Sequence, residues 1–222
     1  GKQVLVRANR VPFDERGGRP YLVPVEGGLE TPLVIPESGA GSLSPDGTEF
    51  AYTPIDRDFR SWKRYRGGRA QDVWIYDLAR NASRQLTDFA GSDHQPAWVG
   101  DTIYFASDRT PTLNLYAVSP QGGAARAVTD FGDFDVLWPS GGPDAVVFEQ
   151  GGWIWRHDAG TSGAVKVPVR VPAEAAYTLP VWKNVAAQIE SFSLAPGGER
   201  AVFGARGEIW SVPAKDGSIR NL

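Results

Sequence analysis

Apolar and polar positions alternate along this chain in short runs, and each run breaks off at glycine, proline or aspartate before a helix could complete. Alternation with period two predicts half-buried strands, and no stretch keeps the 3.6-residue spacing of an amphipathic helix. Five of the runs carry an aromatic: Pro20-Tyr21-Leu22-Val23, Ile75-Tyr76-Asp77-Leu78, Leu115-Tyr116-Ala117-Val118, Ile154-Trp155-Arg156-His157 and Ile209-Trp210-Ser211-Val212. Their aromatics lie 55, 40, 39 and 55 positions apart. The base period is therefore near 40, with two insertions of similar size.

Other features keep the same phase. Upstream of the later four aromatic runs lies another β-prone run: Phe50-Ala51-Tyr52, Ile103-Tyr104-Phe105, Val146-Val147-Phe148 and Ala201-Val202-Phe203. Ahead of each of those comes a turn such as Ser44-Pro45-Asp46-Gly47, where proline presets one turn residue and glycine supplies a positive φ. Downstream, Arg84 to Phe89 (RQLTDF) is echoed 42 positions later by Arg126 to Phe131 (RAVTDF). Each unit is thus expected to hold four short strands joined by turns.

Four-stranded units of about 40 residues are the mark of propeller blades. A twisted sheet with two apolar faces cannot bury either alone, whereas radial stacking buries both. A sandwich or irregular barrel with accidental repetition is the competing fold. The expected class is all-β, an incomplete β-propeller of four-stranded antiparallel blades. Units at 41–89, 91–131 and 132–171 are complete, the first begins at its second strand, and a last one occupies 189–222. Residues 172 to 188 lack the phased pattern and are expected to link two propellers. The absence of methionine and the run into Val4-Leu5-Val6 suggest a piece of something longer.

Bulk properties narrow the partners. A net charge of −3 argues against nucleic acid, which demands surplus Lys and Arg. No apolar run is long enough to form a membrane-spanning helix. The chain has no cysteine, so disulfides and thiolate metal sites are ruled out.

Candidate chemistry is sparse. The two histidines sit in Asp93-His94 and His157-Asp158, but no serine stands in a G-x-S-x-G context. Both are expected as hydrogen-bonding residues at a loop or strand end, and no catalytic residue is assigned. No acidic or histidine cluster has ligand spacing, and Asp130, Asp133 and Asp135 lack the EF-hand order, so no metal or other cofactor is expected. The richest stretch runs from Phe59 to Leu78. Its cations, with the one just ahead of it, are Arg57, Arg60, Lys63, Arg64, Arg66 and Arg69, interleaved with Phe59, Trp62 and Tyr65. It falls between the second and third strands of its blade, where the next blade needs only Ser107 to Leu113, so it is an insertion on one rim. Aromatics that anchor the loop would leave arginines projecting towards a carboxylate or a facing acidic surface. A solvated loop, partly neutralised by Asp56, Asp58 and Asp72, is the alternative.

Several stretches together resemble the N-terminal propeller region of the tricorn protease family. They are WKRYRGG (Trp62 to Gly68) followed by VWIYDL, VGDTIYFASDR (Val99 to Arg109), VFEQGGWIW (Val147 to Trp155) and ESFSLAPGGERAVFGARGEIW (Glu190 to Trp210). The SPDG turn and blade order are shared with TolB-type and prolyl-oligopeptidase propellers, and the WKRYRGG insert is the more specific element. The resemblance covers essentially the whole chain. It implies that residues 1–172 are later blades of a six-bladed propeller, 173–188 a linker, and 189–222 the opening of a second, seven-bladed propeller. A PDZ domain and a serine peptidase would follow, within a hexameric cytoplasmic assembly whose propellers line channels for peptides and products. None of the family's catalytic residues can be carried onto this chain, and whether it belongs to an enzyme stays open. A TolB-type periplasmic interaction propeller without a peptidase is the main alternative. A propeller with its own active site would need acids and histidines on its inner strands, and Gly41 to Leu43, Gln95 to Trp98 and Val136 to Trp138 offer almost none.

Overall fold

The computed structural model describes residues 2–10, 18–35, 37–55, 64–172, 179 and 181–222. The chain divides into two compact units, Gly1–Val169 and Arg170–Leu222. The first unit opens with a three-stranded sheet of β1 (Gln3–Ala8), β2 (Arg19–Pro24) and β3 (Thr31–Pro32). Three four-stranded sheets follow. They are β4 (Gly41–Leu43), β5 (Glu49–Tyr52), β6 (Trp74–Asp77) and β7 (Ala82–Gln85); then β8 (Asp93–Val99), β9 (Thr102–Ser107), β10 (Asn114–Val118) and β11 (Arg126–Ala127); then β12 (Val136–Gly141), β13 (Ala145–Gln150), β14 (Trp153–Asp158) and β15 (Val165–Lys166). The second unit holds one further sheet, β16 (Ile189–Leu194), β17 (Arg200–Ala205), β18 (Glu208–Pro213) and β19 (Arg220–Asn221), preceded by a 3-10 turn at Ala186–Gln188. Every sheet is an antiparallel meander, and no α-helix occurs among the described residues.

The aromatic period has a register behind it. Tyr76 faces Phe50, Tyr116 faces Phe105, Trp155 faces Phe148 and Trp210 faces Phe203, always between the second and third strands of a sheet. Within the first unit these rings fill the spaces between sheets. Tyr76 and Phe50 pack with Leu33 and Ile35 of the preceding sheet's connection, and with Leu5 and Leu22. Their neighbours in sequence, Ala51 and Ile75, point the other way and meet Trp98, Ile103, Phe105 and Tyr116. Tyr104 and Leu115 then turn towards Val136, Val146, Phe148 and Trp155. Alternation along each strand thus serves a core on either side, and burying each large side chain contributes about 1.5–3 kcal/mol. The inner strands β4, β8 and β12 lie side by side. The Trp98 N–H donates to Ser42 Oγ at 3.1 Å, and the Trp138 N–H donates to Gln95 Oε1 at 3.1 Å. These are the relations of propeller blades, and the chain is an all-β, incomplete propeller.

Local chemistry explains the repeated motifs. In the SPDG turn, Asp46 Oδ1 accepts from the Ser44 hydroxyl at 2.6 Å and from the Thr48 N–H at 3.1 Å, and these bonds, the Ser44 hydroxyl foremost, hold its carboxyl below the ordinary range. The Thr-Asp-Phe echo closes each blade's outer edge in the same way. Thr87 Oγ1 accepts from the Val73 N–H at 3.0 Å, and Thr129 Oγ1 from the Leu115 N–H at 2.9 Å. The following Phe N–H is taken by Asp72 at 3.0 Å in one blade and by Asn114 at 2.7 Å in the next.

Candidate functional site

The rim insertion leaves the second sheet between β5 and β6, as the strand pattern predicts. Arg57, Arg60 and Lys63 lie outside the described residues. Arg64, Arg66 and Arg69 lie within them, and the first two are drawn across to the next blade. Arg64 donates to the Pro111 carbonyl through Nη2 at 2.9 Å. Arg66 pairs with Asp108 at 3.0 Å and stacks over Phe89, its guanidinium 5.2 Å from the ring centre. Both acceptors belong to the short β9–β10 connection. Arg69 is exposed and forms no ion pair among the described residues.

Beneath this surface pair lies a second one. Arg109 pairs with Asp93 and donates to Ser107 Oγ at 2.7 Å. Its guanidinium is bracketed by rings, 4.4 Å from the centre of Phe89, 5.3 Å from Tyr116 and 5.6 Å from Phe105. Asp93 is fully buried, and burial pushes its carboxyl above the ordinary value of 3.8, with Arg109 pulling the other way. Asp108 Oδ1 meanwhile accepts the Ser92 N–H at 2.8 Å. One aromatic, Phe89, therefore carries two guanidinium groups, one half exposed and one mostly enclosed. Gly91 makes the crowding feasible, since a Cβ there would stand 2.2 Å from Asp108 Oδ1 and 2.3 Å from Arg66 Nη1.

Among the described cations, Arg64 and Arg66 are braces as well as rim charges, because the next blade supplies their acceptors. Asp108, Arg109 and Phe89 were not singled out as site residues from sequence, and Asp93 was read only as the neighbour of His94. The only signal was the Ser-Asp-Arg at the end of β9, which says nothing by itself about a partner 42 residues upstream. Asp72, expected to offset the loop cations, instead accepts from Phe89, Thr87 and Gln85.

Both histidines lie at strand ends, as expected, each one residue in from the end of its strand. His94 is within β8, and His157 within β14 at 1% exposure. His157 Nδ1 meets the Gly163 carbonyl. Of the loop aspartates, Asp133 Oδ1 accepts from Gln150 at 2.8 Å and Asp135 Oδ1 from the Leu113 N–H at 3.0 Å, so both fasten strands. No group of three or more His, Asp or Glu among the described residues could hold a metal ion, and no described helix is long and apolar enough to cross a membrane.

Comparison with known proteins places this arrangement. A "Tricorn protease homolog" of Saccharolobus solfataricus is 25% identical over 161 residues, 72% of this chain and 15% of that protein. The chain thus spans about one-seventh of that relative's length. The solved structure of the tricorn protease superposes on 99% of this chain with a TM-score of 0.52 at 16% identity, using 26% of its own length. TolB from Acinetobacter baumannii superposes equally widely, with a TM-score of 0.57 at 19% identity over 53% of its length. The family model for the tricorn protease N-terminal β-propeller domain matches residues 1–163, and the chain belongs to that family.

Proposed function

We propose that this chain is a non-catalytic propeller segment of a tricorn-like serine peptidase, lining a peptide or product channel and mediating subunit contacts in cytoplasmic peptide degradation. The observation that carries this reading is the family match over residues 1–163. In this reading residues 1–172 are later blades of a first propeller, 173–188 a linker, and 189–222 the start of a second; the division of the chain near Val169 is compatible with it. The peptidase chemistry, a PDZ domain and the contacts of a homo-oligomer, a hexamer by family resemblance, would lie largely outside these residues.

The rim is the part of this chain suited to meet a peptide. Arg66 is half exposed and held over Phe89 beside Asp108 of the next blade, and Arg69 is open. An arginine held as Arg66 is would offer a carboxylate a partner whose ordering entropy is already met. The proposed binding set is Arg57, Arg60, Lys63, Arg64, Arg66 and Arg69.

A TolB-type interaction propeller, periplasmic and without a peptidase, is the second reading. The superposition on TolB favours it. Reading the coding sequence beyond Leu222 separates the two. A PDZ-like stretch followed by a serine nucleophile supports the peptidase, and a stop codon after one more blade supports the interaction module. The rim's role is tested in the peptidase itself. Arg66→Ala with Arg69→Ala should raise KM for peptides ending in a free carboxylate and spare their amidated forms. Equal effects on both would remove the rim from peptide handling.

A further inference from the structure

Two arginine–aspartate pairs share one ring, and they differ in what would be left behind if each came apart. Arg66 and Arg109 both stand over Phe89, at 5.2 and 4.4 Å from its centre. In the inner pair the side chains of Arg109 and Asp93 are 22% and 0% exposed. Separating them would strand a buried charge, which is strongly destabilising. In the outer pair Arg66 is 42% exposed and Asp108 5%. An ion pair this open to water is weak.

Each group that Arg66 would leave has support elsewhere. Asp108 Oδ1 accepts the Ser92 N–H at 2.8 Å, so the carboxylate keeps a backbone donor. Phe89 keeps the Arg109 guanidinium. The rim itself stays attached, because Arg64 donates to the Pro111 carbonyl through Nε at 3.3 Å and Nη2 at 2.9 Å.

The Arg66–Asp108 pair is also incomplete. Ser92 holds Oδ1, and it is Oδ2 that accepts from the arginine, from Nη1 at 3.0 Å. The remaining contact runs from Nη2 to the Asp108 backbone carbonyl at 3.5 Å, the limit of hydrogen bonding. Guanidinium and carboxylate are strongest when joined by two parallel bonds. Asp108 does not supply that arrangement while it serves Ser92, whereas a carboxylate arriving from solvent has both oxygens to offer.

We propose that Asp108 stands in for a peptide carboxylate, and that a peptide binds at the rim by taking Arg66 from Asp108. The incoming group presents two oxygens where Asp108 presents one, and the guanidinium keeps its place over Phe89 as it turns. Asp108 thereby sets the selectivity of the site, because a neutral chain end cannot make the paired bonds and leaves the internal pair closed. The proposal rests on the rim-binding reading above and goes further by naming the residue that the ligand displaces.

The test uses the 222-residue chain with acetyl-Ala-Ala-Ala as the free acid and as the C-terminal amide, titrated by NMR at one low salt concentration. In the wild type the acid should shift the Arg66 Nε–H resonance, which is identified by its loss in Arg66→Ala. Asp108→Asn keeps an oxygen for the Ser92 N–H and removes the competing charge. It should bind the acid about two- to fivefold more tightly, the range set by the strength of an exposed pair, and leave the amide unchanged. In an Arg66→Ala background the same substitution should bring no gain. No gain in Asp108→Asn overturns the exchange, and so does an equal gain without Arg66, which would report only the loss of a negative charge. An Arg66 signal unmoved at saturation in the wild type overturns it without any variant. In each of these cases a wild type that prefers the acid leaves the rim reading standing. Equal affinity for acid and amide in both the wild type and Asp108→Asn overturns both.

Discussion

Two sheets of this chain share strand order and cross-strand aromatic register, and their surroundings are opposite. In β8–β11, Phe105 and Tyr116 are 0% and 7% exposed, with Ile103 and Leu115 as deeply enclosed. In β16–β19, Phe203 and Trp210 hold the equivalent places but are only partly covered, and Phe192 and Leu194 on β16 stand 75% and 69% exposed. The first sheet has a blade on each side, and the second has none within its own unit. The strand pattern is enough to make the sheet, while the neighbour makes the core.

The comparison can be broken most directly at its matched residues. Phe105→Ala should cost about 3–5 kcal/mol, as expected for emptying a closed core. Phe203→Ala should cost only about 1 kcal/mol, since less apolar area is withdrawn from water there. Urea unfolding followed separately for each unit measures both, and similar costs would dissolve the contrast.

An effect of similar size is expected at the buried ion pair, which the outer sheet has no counterpart for among the described residues. Arg109→Ala leaves the Asp93 carboxylate enclosed without its cation, at about 3–5 kcal/mol. Burial already raises that carboxyl, and the variant removes the main opposing pull. A carboxyl raised in the folded state stabilises the fold when protonated. That contribution is complete below the ordinary value of 3.8 and disappears as pH climbs through the raised one. The deficit of Arg109→Ala should therefore be greatest near neutrality and shrink on acidification. A deficit independent of pH would show that lost ring stacking, rather than charge, is responsible.

The rim gives a smaller effect. Gly91→Ala drives a methyl into Asp108, Arg66 and Phe89 and should cost about 1–3 kcal/mol, typical of overpacking. Arg66→Ala should cost only about 0.2–1 kcal/mol, because the pair it breaks is half open to water. Thermal melts that rank the two in reverse would place the cost in the ion pair instead of the crowding. Smallest of all, Asp46→Ala in the SPDG turn should lower Tm by less than any of these. Amide exchange should report the loss only at Ser44 to Glu49, and exchange spreading through β5 would mean the turn does more than close a hairpin.

Much of this was legible along the chain. The RQLTDF and RAVTDF echoes mark threonines that make the same bond in successive blades, and the spaced aromatics mark one register position. Such features are local, each set by residues within a blade. The site was less legible. Arg66 reads as a projecting rim charge until the next blade supplies Asp108. Trp138 looks like an ordinary strand tryptophan, yet it stands at positive φ and donates its N–H to a glutamine 43 residues upstream in a neighbouring blade.

The order of turns and strands, their pairing into four-stranded sheets and the recurring aromatic pair follow from the amino-acid sequence, because turn chemistry and period-two alternation act over a few residues. Which faces become core and which arginines become braces were decided by tertiary structure. Burial, counter-charge and backbone strain are properties of what stands opposite, and in this fold what stands opposite belongs to the next blade.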